Sequence, residues 1–121
     1  RQWMRLYIDI DRDHETGWEG YDFVVNRISP DGNRAVVERS NGGWEWSRAG
    51  EAQLRVENNM MELRIPRAVL GLQRGADFEL EFKWADNTQH DGDIADFWVS
   101  GDAAPAGRFN YLYSTHRQEH K

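Results

Sequence analysis

The chain has 121 residues, no cysteine and a formal net charge of −6. That length holds one domain with a core of its own, needing no disulfide or thiolate-bound metal. The negative charge argues against a nucleic-acid backbone or an anionic membrane surface as partner, and no apolar run is long enough to span a membrane.

The chain opens on "RQWMRLYIDI", already strand-like, which predicts a piece cut from a longer protein. Leu6, Ile8 and Ile10 alternate with Tyr7, Asp9 and Asp11, giving one apolar and one polar face. The acidic stretch "DIDRDHETGWEGYD" follows, and "YDFVVNRI" then reads as a second strand. "SPDGN" is a turn, because Pro presets φ and Asp-Gly tolerates positive φ. "RAVVERS" returns, "NGG" turns again, and "WEWS" follows. "AQLRVE" and "MELRIP" flank "NNM" as a hairpin, with Leu54 and Val56 inward on one strand and Leu63 and Ile65 on the other.

"PRAVLGL" is the one helical candidate, with Pro66 at its first position and Gly71 just past its end. It spans about one turn. "FELEFKW" places Phe78, Leu80, Phe82 and Trp84 on one face. "DFWVS" and "RFNYLYS" add two strands around a loop, "GDAAPAG". Short strands separated by turn signals predict an all-β fold: an antiparallel β-sandwich of jelly-roll or immunoglobulin-like type with one short helical turn. Residues 1–121 form a single domain with Leu6, Ile8, Ile10, Leu63, Ile65, Phe78, Leu80, Phe82 and Trp84 in its core.

Three pieces stand in order: "LYIDIDRDHETGWEGYDFVVN", "MELRIPRAVLGL" and "FELEFKWADN". Their order and spacing resemble carbohydrate-binding module family 9 and its relatives in the DOMON-like superfamily. The resemblance covers roughly residues 4 to 113. It implies a β-sandwich in secreted, periplasmic or cell-surface multidomain bacterial proteins, often attached to carbohydrate-active enzymes. It also implies aromatic rings that grip a polysaccharide or oligosaccharide, and a structural calcium ion. The family's N-terminal strands, which usually carry one aromatic platform, are missing from this chain. The segment "GDIADFWVSGDAAPAGRFNYLY" looks more like appended domains of larger bacterial proteins.

In the acidic stretch, Asp9, Asp11 and Asp13, with Asp22 folding back, are the candidate metal ligands, since calcium takes six to eight oxygens. The loop is no EF-hand: counted from Asp9, the glycine and glutamate positions of that template hold His14 and Gly20. A solvated acidic turn is the alternative. Asp86, Asp91, Asp93 and Asp96 form a second acidic cluster, read as a polar loop or as a further oxygen-ligand site.

The chain carries six tryptophans. Trp18, Trp44, Trp46 and Trp98 are the candidate carbohydrate platforms, because sugars stack on aromatic faces while nearby polar groups read their hydroxyls. Core packing is the competing use of each ring. The four histidines show no zinc spacing, and no His is paired with Met60 or Met61 as an axial haem set would be. No nucleophile elbow, P-loop or dinucleotide fingerprint is present. The expectation is therefore a non-catalytic domain. It either binds carbohydrate or packs structurally against neighbouring domains of its parent protein.

Overall fold

A computed structural model describes residues 4–58, 60–73, 75–86, 91–94, 102–105 and 110–115. The strands are β1 (Arg5–Asp9), β2 (Phe23–Val25), β3 (Arg34–Ser40), β4 (Trp46–Glu57), β5 (Met60–Arg64), β6 (Glu79–Asp86), β7 (Asp102–Ala104) and β8 (Tyr111–Ser114), with a 3₁₀ turn at Arg67–Leu70. The fold is all-β and antiparallel. The strands form one sheet in the order β5-β4-β3-β2-β1-β6-β7, with β8 also paired to β6, and it curls into a half-barrel.

The two faces carry separate cores. The first holds Leu6, Ile8, Phe23, Val25, Ala35, Val37, Ala52, Leu54, Leu70 and Leu80, all buried. Ile10, Leu63, Ile65, Phe78, Phe82 and Trp84 pack against this core but are only half-buried. All of these but Ile10 border an apolar hollow of about 490 Å³. The second face holds Tyr7, Trp18, Tyr21, Val24 and Ala85. Alternation assigned Tyr7 to a polar face, yet the loop after β1 folds back over it, and Tyr7 is buried.

The turn signals stand where they were read. Gly32 lies between β2 and β3 at φ 60°, and Gly42 and Gly43 lie between β3 and β4 at φ 116° and 56°. The helical candidate is a single 3₁₀ turn; Pro66 sits one position before it, and Gly71 closes it at φ 74°.

Other elements differ from expectation. Trp46 and Ser47 of "WEWS" and the whole of "AQLRVE" belong to one twelve-residue strand, β4, which runs through Gly50. A Cβ at Gly50 would stand 2.7 Å from Val69 Cγ2, so the glycine lets the 3₁₀ turn seat on the strand. Val56, expected inward, is exposed near the tip of the β4–β5 hairpin. The "GDAAPAG" loop contains β7, paired to β6 through Trp84↔Ala104. The expected strand "DFWVS" lies outside the described residues.

Glu38 is buried on β3 and takes a two-pronged hydrogen bond from Arg27: Nε to Oε1 at 2.8 Å and Nη2 to Oε2 at 2.6 Å. Arg27→Ala would strand a buried carboxylate, and we expect it to cost about 2–3 kcal/mol in urea denaturation, less than for a fully enclosed pair. Replacing both partners by apolar residues should recover most of that loss. A single change with no measurable cost would show the pair to be solvated.

Candidate functional site

The acidic loop joins the two central strands, and the sheet fixes both its ends. Ile8 pairs with Phe23 in the β1–β2 register, Asp9 ends β1 and Asp22 immediately precedes β2. The Asp22 amide donates to the Ile8 carbonyl at 2.8 Å. On the other flank of β1, Asp9 pairs with Glu81 of β6. Directly opposed residues project to the same face, so strand pairing brings Asp9 and Glu81 together.

The loop then folds through local turns. The Asp11 carboxylate accepts from the Asp13 amide at 3.0 Å and from the Thr16 hydroxyl at 2.8 Å. Asp13 caps the Glu15 amide at 2.9 Å. Trp18 and Tyr21 exchange a pair of 2.8 Å backbone hydrogen bonds. Between them Glu19 and Gly20 take φ of 51° and 93°, the pattern of a type I′ hairpin turn. Gly17 admits no side chain, since its Cβ would stand 2.1 Å from the Tyr21 carbonyl oxygen.

Asp9, Asp11 and Asp22 converge, with one donor oxygen from each within 4.8 Å of the others. Asp13 does not join them: only its amide reaches the group, donating to Asp9 Oδ1 at 3.3 Å. A second set, Asp9, His14 and Glu81, converges within the same limit. Neither His14 nor Glu81 was singled out from the sequence. Glu81 reaches the site by pairing of strands far apart in the chain, and His14 through the fold of the loop.

Asp9 is 0 % exposed, and its Oδ2 accepts no hydrogen bond among the described residues. Burial, then the Asp11 hydrogen bond and the nearby Asp22 and Asp11 charges, push its carboxyl up to about 7. Burial also raises Asp22, against the opposing effect of the Ile10 amide. Asp11 sits below its ordinary value: partial burial would raise it, but hydrogen bonds from Asp9, Thr16 and the Asp13 amide outweigh that. Glu81 is likewise lowered, because Asn110, Arg12 and His14 outweigh its burial. Burial and the neighbouring carboxylates thus hold Asp9 in its neutral form to a higher pH than usual, and a cation would favour the charged form instead.

Trp18, Trp44 and Trp46 lie on the same face of the sheet. Trp18 is buried against Tyr7, with ring centroids 5.4 Å apart. Trp44 meets Trp18 nearly edge-on at 4.5 Å and 72°, and meets Trp46 at 5.4 Å and 87°. The three form an interlocked aromatic cluster rather than coplanar exposed rings. Trp44 and Trp46 remain half-exposed, beside the exposed polar residues Asn41, Glu45 and Ser47. Trp98 lies outside the described residues, as do Asp96, His90, His116 and His120. Of the second acidic cluster, Asp91 pairs with Arg5 at 2.8 Å.

No helix among the described residues is long and apolar enough to cross a membrane. No family model, curated protein or solved structure matches the chain.

Proposed function

We propose that the chain is a non-catalytic accessory module of the family 9 carbohydrate-binding type, carried by an exported protein, with calcium holding its acidic loop. The carrying observation is the buried Asp9 carboxylate, converging with Asp11 and Asp22. Three carboxylates with their remaining places open to water fit a hard, oxygen-seeking cation. Calcium would supply the positive charge the cluster lacks, and the neighbouring Trp18–Tyr21 turn would be held with it.

A melting curve in chelator and again in millimolar calcium tests this. Saturation at a hundred times the dissociation constant should add about 2.7 kcal/mol of stability, and Asp11→Asn should abolish the shift. An unmoved midpoint in both proteins would leave the loop an acidic turn.

The half-exposed rings of Trp44 and Trp46, with Asn41, Glu45 and Ser47 around them, support a polysaccharide or oligosaccharide as ligand. Affinity gels should show retardation by at least one polysaccharide, weakened by Trp44→Ala and Trp46→Ala in variants that stay folded.

The second reading, a structural domain packing against a neighbour in its parent protein, draws on the first face. There the hollow beside Phe78, Phe82 and Trp84 is open, and Tyr111 and Tyr113 are exposed. Retardation that survives both tryptophan changes, or never occurs, would favour that reading.

A further inference from the structure

We propose that Asp9, His14 and Glu81 form a second binding site, for a borderline transition-metal ion, zinc(II), which shares Asp9 with the carboxylates assigned to calcium. The inference does not depend on the calcium or carbohydrate reading.

The sheet provides two of the ligands. Asp9 closes β1 and Glu81 lies directly opposite on β6, so their side chains leave the same face side by side. His14 comes down on them from the loop: its Nε2 is 3.6 Å from Glu81 Oε1 and 3.9 Å from Asp9 Oδ2. Those separations exceed a hydrogen bond. They are a few tenths of an ångström wider than the roughly 3.3–3.5 Å between tetrahedral ligands held about 2.0–2.1 Å from zinc. A small inward rotation of the exposed imidazole would close the gap.

A second observation bears on the Asp9 oxygen that faces His14. Asp9 Oδ2, the oxygen nearest His14, is buried and accepts no hydrogen bond among the described residues. Buried carboxylate oxygens are normally satisfied, and one left bare calls for a ligand.

The surroundings are those of a positioned ligand set. Glu81 Oε1 accepts from Asn110 Nδ2 at 3.1 Å, and Asn110 Oδ1 in turn accepts from the Tyr21 hydroxyl at 2.6 Å. Glu81 Oε2 accepts from Arg12 Nε at 3.2 Å. Outer partners of this kind orient a metal-bound carboxylate. Gly20 packs on the His14 backbone, where a Cβ would stand 2.9 Å from His14 Cα. An imidazole with two carboxylates is a nitrogen–oxygen set that suits zinc better than calcium. The exposed side of His14 leaves a fourth position to water, which makes the site open.

The test is a zinc titration of chelator-treated protein, followed by calorimetry and by the ring resonances of His14. The expected result is one zinc per chain, with a shift of the His14 ring signals on binding. His14→Gln and Glu81→Gln should each weaken zinc by about tenfold or more. Asp22→Asn should leave zinc affinity nearly unchanged while removing any calcium response, so the two cation readings fail separately. Circular dichroism confirms the fold of each variant. A triple variant of His90, His116 and His120 to Gln should still bind zinc, which excludes those histidines as the source. No zinc uptake by the parent chain, or uptake that survives His14→Gln in a folded protein, would overturn the proposal.

Discussion

Tyr7→Ala is expected to lower the unfolding free energy by about 3–5 kcal/mol. Tyr7 is 1 % exposed and stands at the centre of the second face. Its ring centroid lies 5.4 Å from Trp18, 5.5 Å from Tyr21 and 6.4 Å from Trp44. That core is small, so few neighbours are placed to collapse into the void, and poor collapse is what makes a large-to-small change expensive. Tyr7→Phe keeps the ring and loses the hydroxyl's interaction with Arg5, a loss of about 1 kcal/mol. Urea denaturation followed by tryptophan fluorescence measures both. If Tyr7→Ala cost no more than Tyr7→Phe, the second face would not be a packed core.

Without calcium, the domain should lose stability as pH rises from 4 to 7. Asp9 carries the largest upward shift among the described carboxylates, from an ordinary 3.8 to about 7. Between these values the folded state keeps a proton that the unfolded chain releases. The contribution of Asp9 is therefore complete below the unfolded value and lost as pH climbs through the folded one. At 1.36 kcal/mol per unit, the loss is roughly 2–4 kcal/mol, with Asp11 sharing the proton. Calcium would displace that proton, so adding it should restore stability most strongly near neutral pH. Asp9→Asn removes the ionisation: it should flatten the pH dependence, abolish the calcium response and stabilise the calcium-free protein at pH 7. Melting curves of both proteins across this range decide the matter. An Asn variant that kept the parent's slope would mean that some other group is responsible.

Alternation made β1, β3 and β6 legible, because each buries one row of side chains in the first core. It could not show that β1 is buried on both sides. The cover over Tyr7 comes from Trp18 and Tyr21, whose placement depends on positive φ at Glu19 and Gly20 and on the tight approach at Gly17. The continuity of β4 was hidden by Gly50, which reads as a break until Val69 is seen resting on it. In the acidic loop, the two-residue spacing of Asp9 and Asp11 and the return at Asp22 were readable. Spacing also grouped Asp13 with them, whereas in the fold its side chain caps the Glu15 amide. Glu81 and His14 could not be found by local pattern: one arrives through the β1–β6 register, the other through the loop's fold.

The strands that hold the acidic loop, β1 and β2, lie in the middle of the sheet, and Val24 and Val25 are 0 % exposed. Their amides should be among the slowest to exchange with solvent deuterium, opening only with the whole molecule. A ligand closing the loop would then slow exchange throughout the sheet rather than in the loop alone. The loop would work less as a detachable flap than as a clasp on the sheet's central seam, and its occupancy would be readable from amides far away, out to β4.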